Sequence, residues 1–221
     1  MPNSPDAPHT LKAGLVLLDP VTSVLSRIII LQYNPDSLSR TLAIQATSEG
    51  GGTSGVDRSE VVRLKGPPVE TIKIDAEIDA TDQLEVNDPT AVQSGLFPQL
   101  SALETIIYPT TTQLLANHAL AAAGMLEILP VEAPLILFVW SASRIVPVRI
   151  TELSVTEEAF DTRLNPIRAK VSLGMRVLSV NDLGFEHRGS SIYLAYQRIK
   201  ETFAGVPTGG TLGQLGIGGI P

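Results

Sequence analysis

Asp75, Glu77 and Asp79 occupy alternate positions of one run, Thr71 to Ala80, while Glu157 and Glu158 stand side by side shortly before Asp161. Carboxylates on every second residue of a strand share one face, where they could bind a divalent cation or divide acid and base roles. Cation cages draw ligands from loops of varied direction, and no histidine lies near this run in the sequence. The row therefore reads as a solvated or lumen-facing strand face that also discourages mispairing of edges. Glu157 and Glu158 would have to work as a glycosidase pair, but neighbours in an extended chain point opposite ways and cannot flank one bond. They read instead as ion-pair partners for Arg163 or Arg168, or for arginines of a neighbouring copy.

The other chemistry-bearing residues are dispersed. His9, His118 and His187 fall on an N-terminal arm, a helix and a loop, none at a recognisable spacing from a serine or carboxylate. Ser48 to Gly55 is Gly-rich, yet it lacks the Lys-Ser/Thr ending and following helix of a phosphate cradle, and reads as a mobile loop. Trp140, the single tryptophan, ends an apolar run and reads as a core or interface anchor. No nucleophile elbow, zinc helix or dinucleotide fingerprint occurs. The expectation is a protein that is not an enzyme, with no cofactor and no bound metal.

Composition narrows the partners. The 221 residues contain no cysteine, which removes disulfides and thiolate chemistry. Sixteen basic against twenty-three acidic residues give a formal charge of −7, a poor balance for holding nucleic acid or anionic lipid. The start, MPNSPDAPHT, has no basic stretch ahead of an apolar one, and the longest apolar runs fall far short of the roughly 20 residues of a spanning helix. A soluble protein, cytoplasmic at synthesis, is expected.

The elements that must position these side chains are mainly strands. After a flexible arm, residues 1–10, Leu11–Leu18, Arg27–Tyr33 and Arg40–Ala46 form a β-meander, the third with Leu42, Ile44 and Ala46 on one face. Thr71–Ala80 alternates without a break, with Ile72, Ile74, Ala76, Ile78 and Ala80 toward a core. Residues 93–130 change to helical period: Leu96, Leu100, Leu103 and Ile107, widened by Phe97 and Ile106, then Thr111–Leu126 with Leu114, Leu115, Ala119 and Ala122. This helical insertion is expected to pack outside a sheet or on a neighbouring subunit.

Leu135 to Trp140 is continuously apolar, as in a strand buried on both faces. A long hairpin follows. Val146, Val148 and Ile150 alternate, then the phase slips so that Leu153 and Val155 carry it on, which predicts a bulge near Thr151 and Glu152. The return arm places Ile167, Ala169, Val171, Leu173, Met175 and Val177 on one face, Arg168, Lys170, Ser172 and Arg176 on the other, and Thr156–Pro166 is read as the loop between the arms. Val180–Gly189 is a polar connection. Ser190–Ala204 is a helix with Ser190 as its cap and a stripe of Ile192, Tyr196, Ile199 and Phe203. The main β domain thus spans 11–189, the helix 190–205, and a Gly-rich tail 206–221 completes the chain, either disordered or ordered by a partner.

The segment LILFVWSASRIVPVRITELSVTEEAFDTRLNPIRAKVSLGMRVLSVNDLG strongly resembles the core of the baseplate tube-adaptor family of contractile injection systems, the extracellular phage-tail-like particles of bacteria. Upstream, RIIILQYNPDSLSRTL is similar to that family's strand, aromatic-Asn-Pro and Leu-Ser-Arg pattern. The resemblance spans about Leu11 to Gly205. It implies an α+β, mainly β, tail-tube-like antiparallel barrel or sandwich, assembling as a homo-oligomer, a six-fold ring between the central spike and the inner tube, in contact with other baseplate subunits, within a particle that is released or tethered. The interface candidates it suggests are Tyr33, Asn34, Pro35, Trp140, Glu157, Glu158, Phe160, Asp161, Arg163, Asn165 and Arg168. Family members often continue into a LysM-type domain, for which the Gly-rich tail leaves no counterpart, so glycan binding is not carried over. The alternatives are an inner-tube subunit of the same particle and, from another class, a baseplate-associated cell-wall hydrolase.

Overall fold

A computed structural model describes residues 11–19, 22–45, 64–124, 133–207 and 209–220. The arm 1–10 with His9, the Gly/Ser loop 48–55, Ala46 and the close of the helical insertion beyond residue 124 lie outside the described residues. The strands are β1 (Gly14–Leu18), β2 (Leu25–Ile30), β3 (Leu38–Ala43), β4 (Val69–Asp79), β5 (Leu135–Ser141), β6 (Arg144–Phe160) and β7 (Pro166–Val177). All pair antiparallel in one open sheet of order β2-β1-β5-β6-β7-β4-β3. Helices α1 (Thr81–Glu85), α2 (Pro89–Ser94), α3 (Phe97–Glu104) and α4 (Thr111–Ala122) follow β4, and α5 (Val180–Leu183) and α6 (Arg188–Ala204) follow β7. The architecture is α+β with the sheet dominant. No helix among the described residues is long and apolar enough to cross a membrane.

The two edge strands, β2 and β3, are consecutive in the chain, joined by residues 31–37. The eight Cα–Cα steps from Ile30 to Leu38 reach roughly 28 Å at full extension, no more than the roughly 29 Å between the edges of a flat seven-stranded sheet at about 4.8 Å per spacing. On the way Gln32 bonds Asp79 at the end of β4, while Asn34 bonds Ala13 before β1. The sheet must therefore roll. One core results, drawing Leu15 and Leu17 of β1, Ile72 and Ile74 of β4, Phe138 of β5, Val146 and Val148 of β6, and Val171, Leu173 and Met175 of β7, with Leu100 and Leu103 of α3 and Tyr193 and Tyr196 of α6. A smaller cluster on the opposite face joins Leu18, Leu135 and Leu137 to Leu183 and Ile192. Leu135 to Phe138 are accordingly buried from both sides, as a continuous apolar run demands, while Trp140 is only half-buried and tilts against Phe138 at 6.0 Å.

The phase slip in β6 is a bulge. Ile150 faces Met175 and Glu152 faces Gly174, which leaves Thr151 unopposed. Gly174 makes room for it, since a Cβ there would stand 3.0 Å from Glu152 Cβ and 3.3 Å from Thr151 Oγ1. Beyond the bulge the strand continues to Phe160, so the expected eleven-residue loop between the arms contracts to residues 161–165. Polar side chains in Thr156–Phe160 do not break the strand because they continue an exposed ladder.

Several expectations are corrected. Leu42 and Ile44 are exposed, because β3 is an edge strand and the core does not extend beneath its end. The helical insertion starts at Thr81, directly after β4, and its first helical stretch is broken at Gly95–Leu96. Ile106 is buried in place of Ile107: the last turn tightens to i, i+3 bonds, Ile106 N to Leu103 O at 3.2 Å, which brings Ile106 beneath Leu103. Helix α4 begins at a capping box of Thr110 and Gln113 yet buries none of its residues. In α6 the buried residues are Gly189, Ser190, Tyr193 and Tyr196, Phe203 is exposed, and the cap is His187, whose Nδ1 accepts from Gly189 N at 3.0 Å. Ser190 instead sits one turn in, its hydroxyl donating to Gly184 O.

Candidate functional site

The strands β4, β7 and the distal part of β6 present one core-facing and one polar face. Glu158 lies opposite Arg168 and Thr156 opposite Lys170, and on the other side Asp79 meets Arg168 and Glu77 meets Lys170. On the polar face Arg168 reaches Asp79 at 2.8 Å and Glu77 at 3.5 Å, Lys170 reaches Glu158 at 2.8 Å, and Lys73 reaches Glu152 at 3.6 Å. Of the acidic row of β4, Glu77 and Asp79 are thus paired by Arg168 of β7. Exposed pairs of this kind each contribute about 0–1 kcal/mol, so their effect is to set register and keep the face hydrophilic rather than to hold the fold. Asp79 is held below the ordinary carboxylate range chiefly by the Thr81 hydroxyl that donates to it, with Arg168 adding to this and partial burial opposing it. Among the described residues no group of three or more His, Asp or Glu side chains is gathered for a metal.

Glu157 and Glu158 diverge as the geometry of an extended chain requires. Glu157 stands opposite Ala169 on the core-side face, and Glu158 opposite Arg168 on the polar one. Glu158 pairs with Lys170 and Arg168 is taken by the β4 acids, so among the described residues neither expected arginine forms a salt bridge with the two glutamates.

The hairpin tip is built by Asp161. Its carboxylate accepts from Arg163 N at 2.7 Å, Asn165 N at 2.8 Å and Asn165 Nδ2 at 2.8 Å, closing the turn in which Leu164 takes a φ of 65°. These bonds, first among them the one from the Asn165 backbone, lower the Asp161 pKa. A carboxyl depressed in the folded state adds stability that is complete above its unfolded value, near 3.8, and is lost as pH falls through the folded value. The tip is therefore expected to loosen below about pH 4, read as a falling protection of the Arg163 and Asn165 amides relative to the intrinsic exchange rate at each pH; unchanged protection from pH 6 to pH 3 would show that Asp161 does not hold it. Phe160 and Arg163 stay exposed beside the tip, and Asn165 Nδ2 also donates to Gln93 O at 3.3 Å. Leu96 N donates to Pro166 O at 2.9 Å, so the base of the tip is pinned to the α2–α3 junction.

Tyr33, Asn34 and Pro35 lie on the connector between β2 and β3. Asn34 acts as a substitute for strand backbone: its Oδ1 accepts from Ala13 N at 2.9 Å and its Nδ2 donates to Leu11 O at 2.7 Å. Gln32 does the same on the other side, with Oε1 accepting from Asp79 N at 2.9 Å and Nε2 donating to Asp79 O at 2.6 Å. Two amides thus stitch the start of β1 to the end of β4. Asn34→Ala leaves the Ala13 N–H and Leu11 C=O without these partners and is expected to lower stability by about 1–3 kcal/mol, measured by urea unfolding; Tyr33, whose ring is exposed, should tolerate Tyr33→Ala within about 0.5 kcal/mol. A groove of about 420 Å³ runs between this connector and the polar face, with Asp36, Asp75, Thr156 and Lys170 in its walls.

One cluster had no counterpart among the sequence candidates. Glu70, only 3% exposed, is bonded by Arg40 Nε at 2.7 Å and faces Lys200 Nζ at 3.9 Å. Arg40 also donates to the Tyr196 hydroxyl at 3.0 Å, and Lys200 lies 4.3 Å over the Tyr196 ring. Burial pushes the Tyr196 pKa up and the Lys200 pKa down. Tyr196 and Lys200 are four apart on α6 and share a face, so the cluster clamps α6 to the β3–β4 edge. Its carboxylate is occupied by two cations, an arrangement suited to structure rather than proton transfer. The signal in the sequence was the phase of Glu70, two before Ile72 and four before Ile74, a charge on a core-facing position.

The chain matches no protein-family model and no curated protein.

Proposed function

We propose that the chain is a structural subunit of a contractile, phage-tail-like particle, forming the ring that links a central spike to the inner tube. The observation that supports this most directly is the set of strand edges left without partners. Among the described residues, Arg149–Phe160 of β6 has no strand on the side away from β7, and β2 and β3 are free on their outer sides. Unpaired edges of different chemistry on one molecule favour head-to-tail pairing of copies, which closes when the rotation permits. In this reading the rolled sheet becomes part of a tube-like barrel completed by neighbours, and the hydrophilic face of β4 and β7 is its smooth wall. Glu157 and Phe160 at the end of β6, and Arg163 and the Tyr33–Pro35 turn on connections, are the contacts to adjacent copies.

The test is a reconstruction of the assembled particle. One ring of this chain between spike and tube supports the adaptor role; many stacked copies would assign it to the tube instead, and its absence from the particle would end the proposal. A glycosidase pair would require two carboxylates flanking one bond, which Glu157 and Glu158 on opposite faces cannot do, so Glu157→Gln with Glu158→Gln is expected to leave any lytic activity of the particles unchanged.

A further inference from the structure

Two apolar features of this chain are uncovered. The first is a groove of about 420 Å³ between β2 and the last half of β4, walled by Ile28, Ile30, Ala76 and Ile78 and closed beneath by Pro98 and Leu103 of α3. Ile28 and Ile30 are 54% and 62% exposed, on an edge strand whose outer backbone groups have no strand partner among the described residues. The one charged side chain in its lining, Arg27, is tied to the C-terminal end of α3, where it donates to Thr105 Oγ1 at 2.9 Å and to Ala102 O, also in the lining, at 3.3 Å. The groove therefore offers a mainly apolar surface without a carboxylate, in which Gln32, Gln83 and Gln99 are the uncharged polar side chains, beside the edge of β2.

The second is the segment 209–220. Every residue in it is exposed, including Leu212, Leu215, Ile217 and Ile220. Its hydrogen bonds are local: Gln214 N to Thr211 O, Gly216 N to Gly213 O and Ile217 N to Leu212 O. From Val206 onward the sequence carries no charged side chain. Burying it in the groove would desolvate no ion, in contrast to the charged face of β4 and β7. Leu215 and Ile217 alternate with Gly216 and Gly218, so an extended form would put two aliphatic side chains on one side and bare backbone on the other. Such a backbone can approach a strand edge closely, which is how an added peptide strand is recognised.

We infer that residues Leu212–Ile220 of one copy seat in the β2-side groove of a second copy, adding a short strand to its open edge. The ring reading above does not supply this latch; the latch rests on the match between a tail without charged side chains and a mainly apolar groove without a carboxylate, and only on copies meeting. A tail on one surface and a groove on another make the contact head-to-tail.

Sedimentation of the purified full chain across the micromolar range tests it. The full chain is expected to self-associate with rising concentration. Leu215→Asp with Ile217→Asp, and separately Ile28→Asp with Ile30→Asp, should each weaken association at least tenfold. Both pairs are exposed, and circular dichroism checks that the variants stay folded. Mixing the two double variants should restore one contact, giving a heterodimer that grows no further, because one variant keeps its groove and the other its tail. A monomeric full chain at all concentrations overturns the inference, whether the tail folds onto its own groove or binds nothing. Self-association of both variants equal to the unmodified chain overturns it too, while leaving the ring to be decided by the particle reconstruction.

Discussion

Arg40→Ala is expected to destabilise the protein by about 2–4 kcal/mol, the largest single loss for any side chain on the sheet edge. Removing one partner of a buried ion pair costs roughly 3–5 kcal/mol, because the other charge stays buried and uncompensated. Glu70 is almost wholly buried, whereas the Arg40 side chain is 25% exposed and Lys200 remains 3.9 Å from the carboxylate, so the loss falls toward the lower part of that range. Urea unfolding with an unchanged slope would place the effect in stability rather than in the compactness of the unfolded chain. The companion double variant, Arg40→Met with Glu70→Leu, removes both charges and should recover most of the loss. A drop of less than about 0.5 kcal/mol in Arg40→Ala would falsify the clamp and mean that water solvates Glu70.

Gly95→Ala is the second. Gly95 sits between α2 and α3 at φ 55°, ψ −130°, a region costly for any residue with a side chain, and a Cβ there would stand 2.3 Å from Pro166 O and 3.1 Å from Asn165 Cβ. Backbone strain of roughly 1–3 kcal/mol and the overlap with a backbone oxygen act together, for an expected loss of about 3–4 kcal/mol. Gly184→Ala separates the two causes: its φ is 70°, but nothing lies within 4 Å of the place its Cβ would take, so strain alone applies and about 1–2 kcal/mol is expected. Equal losses at the two glycines would show that the overlap at Gly95 is relieved by movement. Limited proteolysis near residues 161–165 adds a local readout, since Leu96 N to Pro166 O is the bond that pins the tip.

How well the sequence foretold the structure depended on how local the cause was. Alternation in Thr71–Ala80 and Ile167–Val177 is written residue by residue, and the slip between Ile150 and Leu153 located the Thr151 bulge because side chains alternate without exception around it. Tertiary causes were hidden. Whether Leu42 and Ile44 are covered depends on β3 being the last strand, which no property of those residues states. Thr156–Phe160 looked like a loop because of its charges and the turn formers that follow, yet Lys170 and Arg168 lie across or beside them only once the strands pair. The same holds for the charged face itself: the row of acids was plain, but its cations come from a strand about ninety residues later, as the Asp79–Arg168 bond shows. Glu70 was visible in principle, as a charge in the phase of isoleucines, though Tyr196 and Lys200 could not be assigned to it without α6 in place.

The stitches made by Gln32 and Asn34 bear on mechanics. Across β6 and β7 neighbouring strands are held by a backbone ladder, whose bonds share a load along the whole pairing. Between the start of β1 and the end of β4, four bonds from two side-chain amides do that work, and an amide can swing away by rotating its own side chain while every strand keeps its partners. The rolled sheet therefore has a compliant line parallel to its stiff ones. A pull that spreads the sheet would open there first, and the exchange of the Ala13 and Asp79 amide protons, each guarded by one of these side chains, would register the opening before any strand lets go.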